Sequence, residues 1–263
     1  MRIALGLEYD GSRFLGWQTQ PSGGTVQDAL EAALATIAGE PVGVTCAGRT
    51  DRGVHAREQV VHFDTTTERP LTAWVRGVNA VLPGSVAVLW ARPVAASFHA
   101  RYCARSRTYR YVLLNRPVRP ALAAAYVGWF HLPLDVAAMR EAAALLLGEH
   151  DFSAFRSSEC QAKSPRRSVH RLDVERRGER IDFVLTANAF LHHMVRNIAG
   201  LLIAVGKGKE TPAWARSVLA GRDRTKSAAT APAAGLTLWE VRYPRAFGLP
   251  APPDDGPAGG DRL

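Results

Sequence analysis

Asp51 stands between Arg49 and Arg52 in the run Ala47-Gly48-Arg49-Thr50-Asp51-Arg52-Gly53-Val54-His55-Ala56, a stretch broken by two glycines. Neighbouring guanidiniums favour the ionised form of a carboxyl group and can themselves bind phosphate. Glycines let a backbone turn sharply and approach a ligand closely. The chemistry this set supports is that of an ionised carboxylate acting beside an anionic ligand. An isolated aspartate in such a loop is more often a turn or cap residue, and the arginines on both sides weigh against that plain reading. Gly48 to Gly53 has the outline of a phosphate loop, but Val54-His55 follows where a nucleotide-binding loop needs Lys and Ser or Thr. A nucleotide-hydrolysing loop is therefore excluded.

Three further segments carry usable chemistry. Phe98-His99-Ala100-Arg101-Tyr102 and Arg105-Ser106-Arg107-Thr108-Tyr109-Arg110-Tyr111 interleave aromatic rings with arginines, as in sites where guanidiniums meet phosphates and rings stack on unpaired bases. Alternation along a strand puts Tyr109 and Tyr111 on one face and Arg110 on the other, and for Tyr111 a core position competes evenly with a groove position. Asn188-Ala189-Phe190-Leu191-His192-His193-Met194-Val195-Arg196-Asn197 sets a single arginine in an apolar helix. Such a guanidinium needs a carboxylate partner, for which Asp51 is the candidate. His192 and His193 point about 100° apart on a helix, with no acid or cysteine one turn on, so no metal site is expected. Arg156 to Arg171 adds Lys163, Arg166, Arg167 and Arg171 against Glu159 alone, a second basic element that reads equally as a solvated loop.

These segments need a frame, and 263 residues suffice for one large domain or two smaller halves. The net charge of +9 is concentrated between Glu68 and Asp135, where no acid occurs and nine arginines do: Arg69, Arg76, Arg92, Arg101, Arg105, Arg107, Arg110, Arg116 and Arg119. Basic and acidic residues balance elsewhere. A field of this kind favours a polyanion and steep salt dependence. Three widely spaced cysteines argue against a disulfide framework or a structural zinc site, and the chain has neither a leader pattern nor a long apolar run. A cytoplasmic protein with no membrane segment is expected.

Periodicity predicts strands at 2–9, 59–64, 86–92, 108–114, 168–175, 180–187 and 236–242. Helices are predicted from a Thr25 cap to Gly39, over 71–81, from an Asp135 cap to Gly148, and over 190–205. The second half loosely repeats the first. The fold class expected is α+β, in two pseudosymmetric halves, with a mainly antiparallel sheet flanked by helices and a central basic cleft. The halves are expected at 1–105 and 106–244, with a disordered tail over 245–263.

Taken together, Gly48-Arg49-Thr50-Asp51 with Gly53-Val54-His55-Ala56, Phe98-His99-Ala100-Arg101, Tyr109-Arg110-Tyr111 and the 188–197 run resemble the tRNA pseudouridine synthase A family. Tyr9-Asp10-Gly11-Ser12, Gly16-Trp17-Gln18, Asp223-Arg224-Thr225 and the stretch from Ala231 to Leu236 also follow its pattern, so the likeness spans about residues 2–244. One departure is Arg52, where the family usually has alanine. The resemblance implies isomerisation of uridine to pseudouridine at positions 38, 39 and 40 in the anticodon arm of tRNA, without cofactor or metal, by a homodimer. It implies that Asp51 is the nucleophile, attacking ribose C1′ or uracil C6, that Arg196 is its ion partner, and that Tyr109 packs on the target uracil. Arg49 would enter the space left by the flipped base, assisted by Arg69. Phe98, His99, Ala100, Arg101 and Tyr102, with Glu159, Cys160, Gln161, Ala162 and Lys163, would contact RNA.

Overall fold

The computed structural model describes residues 1–251. The chain forms two compact units, the first made of residues 1–105 with the described residues from Thr237 onward, the second of Ser106–Leu236.

In the first unit, Ile3, Leu5 and Leu7 alternate along β1 (Arg2–Tyr9), which lies between β3 (His55–Asp64) and β4 (Val86–Val94) and is antiparallel to both. Ile3 faces Phe63 in register and Leu5 faces Val61. The short β2 (Thr45–Cys46) pairs antiparallel with β3, and the closing strand β10 (Leu236–Arg242) pairs parallel with it. The strand expected to close the second half thus groups, from Thr237, with the first unit. Helix α1 (Val26–Ala38) begins in a capping box, with the Thr25 hydroxyl accepting from Asp28 N–H and the Asp28 carboxylate accepting from Thr25 N–H. It stops at Gly39, whose φ of 74° suits glycine. The single helix expected over 71–81 resolves into a π-turn segment (Ala73–Gly77) running into α2 (Val78–Val81). Its buried anchor is Trp74, packed edge-on to Phe63 at 5.2 Å.

The second unit is built on β5 (Ser106–Asn115), β9 (Arg180–Ala187), β8 (Arg166–Arg177) and β7 (Gly148–Asp151), each antiparallel to its neighbour, with β6 (Gly128–Phe130) parallel to β5. Helix α3 (Val136–Ala144) is capped by Asp135, which accepts from Ala137 and Ala138 N–H. The predicted helix to Gly148 ends earlier, because Gly148 turns at φ 94° into β7. Helix α4 (Met194–Gly206) is apolar as expected but starts at Met194 and not at Phe190. His193 takes a left-handed conformation, φ 63°, which an α-helix cannot run through. A further helix, α5 (Trp214–Gly221), went unpredicted.

Beyond Pro244 the chain packs further than expected. Arg245–Phe247 form a 3-10 turn, the Phe247 ring lies 5.1 Å from Phe98, and Tyr243 donates its hydroxyl to Ala100 O at 2.6 Å. The rest of the expected tail, 252–263, lies outside the described residues. No helix among the described residues is long and apolar enough to cross a membrane.

Candidate active site

The loop carrying Asp51 is clamped from two sides within the first unit. From the β1–α1 connection, Trp17 N–H donates to Thr50 O at 2.9 Å, and the Tyr9 hydroxyl lies 2.8 Å from Thr50 Oγ1. Gly11 and Gly16 permit this contact: a Cβ on Gly11 would fall 1.9 Å from Val54 O, and one on Gly16 within 3.3 Å of three backbone atoms at 50–52. Gly16 also has φ 107°. From β3, the fully buried Gln59 amide donates to Gly48 O at 2.6 Å and accepts from Gly48 N–H at 3.3 Å. Val54 N–H closes the turn onto Asp51 O at 3.1 Å. Asp51 itself is half-buried, whereas Arg49 and Arg52 are exposed. The result is a rigid turn that presents one carboxylate with two solvated guanidiniums beside it.

His55 is buried behind this loop, its Nδ1 accepting from Gly11 N–H at 3.1 Å and lying 3.2 Å from Asp10 Oδ1. That contact seats Gly11. Next along β3, Glu58 is a buried carboxyl group pushed up to about 7, chiefly by desolvation and then by Glu240, against the pull of Arg57 and a hydrogen bond to Trp90.

The segment 98–102 folds around His99. Its Nδ1 accepts from Arg101 N–H at 3.2 Å and Tyr102 N–H at 3.3 Å, and its ring lies 4.3 Å from the Tyr102 ring. Phe98 and Ala100 are fully buried, and Ala100 N–H donates to His62 Nδ1 at 3.1 Å. Burial, with Arg2 and His99 nearby, lowers the His62 pKa to about 4, which keeps that acceptor neutral. The side chains left facing solvent are Arg101 and Tyr102, the latter 76% exposed. Arg69 is exposed at the surface and donates through Nε to Ile37 O at 3.3 Å.

In the second unit, Tyr109 packs edge-on against Phe190 at 5.0 Å and is 8% exposed. Tyr111 goes to the core, stacked on Phe183, with its hydroxyl buried beside Gly128 and no hydrogen-bond partner. Desolvation pushes that hydroxyl's pKa up, opposed by the charge of Arg196. Arg110 is also buried and pairs with Asp182 at 3.0 Å, and Arg107 is buried with Nη1 on Asn188 O. Two of the nine clustered arginines therefore serve the interior and add little to the surface field.

Arg196 sits in the first turn of α4, where Nε donates to Ala231 O at 2.9 Å and its own carbonyl accepts from Ala231 N–H at 3.1 Å. Gly200, one turn on, lets this connection lie against the helix, since a Cβ there would meet Ala229 O at 2.0 Å. Arg224 locks the same connection through Ala228 O, Thr230 Oγ1 and Asn197 Oδ1, each at 2.9 or 3.0 Å. The 159–163 segment begins in a turn, with Cys160 N–H on Ser157 O and Ser157 N–H on His192 O. Glu159, Gln161 and Lys163 are exposed, while Cys160 and Ala162 are half-buried.

Residue type and local pattern alone assign no role to Gln59, Asn197 or Arg224, nor to the two glycines of the β1–α1 connection. Gly11, Gly16 and Arg224 belonged to matching runs, which was a signal without a mechanism. Gln59 offered no signal at all.

A family model described as tRNA pseudouridine synthase matches residues 7–103 and 142–244. The chain is 61% identical over 250 residues to a protein of Thiobacillus denitrificans, covering 95% of this chain and 96% of that one. It is 58% identical over 255 residues to a protein of Dechloromonas aromatica, covering 97% of each, and 61% identical over 252 residues to one of Chromobacterium violaceum, covering 95% and 96%. All three relatives carry the name tRNA pseudouridine synthase A.

Proposed function

The chain belongs to the tRNA pseudouridine synthase family, and we propose that Asp51 is the nucleophile with which it acts on uridines 38, 39 and 40 of the tRNA anticodon arm. The enzyme is an isomerase that converts uridine to pseudouridine in tRNA. The uracil N1–C1′ bond breaks, a C5–C1′ bond forms, the C5 proton leaves and N1 gains one. Atoms and electrons balance within the nucleotide, so the step needs no redox partner and no water.

The observation that carries the Asp51 reading is the clamped loop. Gly11, Gly16 and Gln59 fix the backbone on both sides of a half-buried carboxylate through backbone and amide contacts. A nucleophile must be held in attack geometry before substrate arrives. Attack at C1′ would form a glycosyl ester, and attack at C6 a uracil adduct. Arg196 is the cation that keeps Asp51 ionised, and Tyr109 packs on the uracil and assists C5 deprotonation. Arg49 occupies the space vacated by the extruded base, with Arg69 assisting, and the 98–102 and 159–163 segments hold the strand. Base extrusion costs a few kcal/mol, which such an inserted guanidinium offsets.

The reading extends to the assembly. Each unit carries a mostly antiparallel four-strand run with helices, which supports the reading of two pseudosymmetric halves; the basic cleft as tRNA seat rests on the family resemblance alone. A cytoplasmic homodimer follows from the same resemblance. Tritium release from tRNA labelled at uridine C5 tests the reading, with wild type, Asp51→Asn and excess chelator run in parallel. Chelator-insensitive release by wild type and none by Asp51→Asn is expected; release by the variant would remove Asp51 as nucleophile.

A further inference from the structure

The second unit holds a groove of about 860 Å³ running along the start of α4, lined by Arg156, Ser157, His193, Arg222, Arg224 and Ser227 among others. Its character is cationic. Three arginines line it against a single acid, Asp223, whose Oδ1 accepts from Thr225 N–H at 2.9 Å and from the Thr225 hydroxyl at 2.6 Å. Arg224 is committed to the floor through its bonds to Ala228, Asn197 and Thr230. Arg222 is different. It follows α5 in a left-handed conformation, φ 53°, a position that favours glycine, and its side chain is 63% exposed with only a 3.5 Å contact to Asp151. Arg156 reaches Cys160 O at 3.3 Å through one nitrogen and keeps further donors.

Two polar features want an acceptor there. Ser227 Oγ is shielded from solvent and has no hydrogen-bond partner, although buried hydroxyls are nearly always satisfied. The first turn of α4, a 13-residue helix, receives no side-chain cap from His193, and an uncapped helix start favours an anion. Cations, a donor hydroxyl and a helix start converging on one groove fit a phosphate group with its substituents. The volume exceeds what one inorganic ion needs.

We propose that this groove seats a backbone phosphodiester of the tRNA strand, with Arg222 and Arg156 as its cations and Ser227 as a hydroxyl donor. The assignment rests on the tRNA-modifying reading above and adds a contact outside the 98–102 and 159–163 segments. Arg222 and Ser227 act here in binding and touch no reacting atom.

The test measures tRNA dissociation constants across a salt series, with thermal midpoints and tritium release on the same preparations. Arg222→Gln keeps the backbone conformation and removes the charge. It is expected to raise Kd about five-fold at low salt and to reduce the salt slope by about 0.7, the value of one lost contact to a single strand, with kcat at saturating tRNA unchanged. Arg222→Lys should restore the slope. Ser227→Ala should raise Kd about three-fold with no fall in thermal midpoint, because no internal hydrogen bond is lost. Inorganic phosphate at constant ionic strength should compete with tRNA on wild type and not on Arg222→Gln. An unmoved slope and Kd for Arg222→Gln would overturn the proposal, as would phosphate binding that leaves tRNA binding untouched, the mark of a free-anion site. Absence of tritium release from wild type would instead sink the enzymatic reading, so the two failures are distinguishable.

Discussion

The loop that bears Asp51 and the connection that braces Arg196 solve one mechanical problem by different chemistry. Around Asp51 the clamp is neutral: two glycines admit backbone contact, and the Gln59 amide bridges both polar atoms of Gly48. Around Arg196 the clamp is charged: Arg224 ties together Ala228, Thr230 and Asn197, with Gly200 admitting the close approach. The difference follows from what each loop presents. A cation built into the Asp51 clamp would compete for that carboxylate, whereas a guanidinium satisfied by carbonyl, hydroxyl and amide oxygens beside Arg196 draws no carboxylate away. Each clamp is thus made from groups that do not react with its cargo.

The strongest way to break this comparison is steric. Gly11→Ala and Gly200→Ala each drive a Cβ into a backbone carbonyl, at 1.9 and 2.0 Å. Each is expected to destabilise by about 3 kcal/mol, the upper range for overpacking, and to abolish tritium release. Urea denaturation checks this, and a variant with native stability and full activity would show that the close approach is dispensable.

A carboxyl on the strand behind the first clamp gives the next effect. Glu58 has a folded pKa of about 7, above its ordinary value of 4.5, because burial disfavours the charged form. Its stabilising share is therefore complete below about pH 4.5 and is lost as pH rises through 7. His62, lowered to about 4, works in the opposite sense, its share present above pH 6.5 and lost as pH falls toward 4. The two slopes oppose each other in wild type, so the difference between Glu58→Gln and wild type is the informative quantity. That difference should shift in favour of the variant by about 3 kcal/mol from pH 4.5 to 7.5; a constant difference would mean that burial leaves the Glu58 pKa at its ordinary value.

Removing the clamp side chains should separate neutral from charged. Arg224→Met is expected to lose about 2–3 kcal/mol, since hydrogen bonds to a charged group are the stronger kind, and Gln59→Leu about 1–2 kcal/mol. Equal losses would erase the distinction between the clamps. The smallest effect is at the surface: Arg101→Ala should leave stability unchanged and flatten the salt dependence of tRNA binding by about 1. An unaltered slope would take Arg101 off the list of phosphate contacts.

Much of this was legible one element at a time. The alternation of Ile3, Leu5 and Leu7 gives β1 its buried face, and Thr25 with Asp28 and Gly39 sets both ends of α1. The Asp51 run stood out because its residue types are improbable together without a ligand. What escaped was whatever depended on a partner far along the chain. Phe190 to His193 continue an apolar pattern that reads as helix, yet His193 adopts a left-handed turn. Arg110 reads as surface charge, yet Asp182 on the neighbouring strand takes it inside. Phe247 lies in a Pro- and Gly-rich stretch that reads as unstructured, yet Phe98 offers its ring a place.

By itself, then, the sequence determined the residue types available for chemistry, the local elements that carry them and the family to which they belong, because side-chain character and short-range periodicity are written in neighbouring residues. Tertiary structure alone decided which glycines bear the weight of the Asp51 loop, which arginines are withdrawn from the surface, and that Gln59 and Arg224 hold the two loops still. Those outcomes rest on contacts that bridge 11, 27 and 81 positions of the chain or on clashes that only a folded backbone can pose, and no local pattern encodes them.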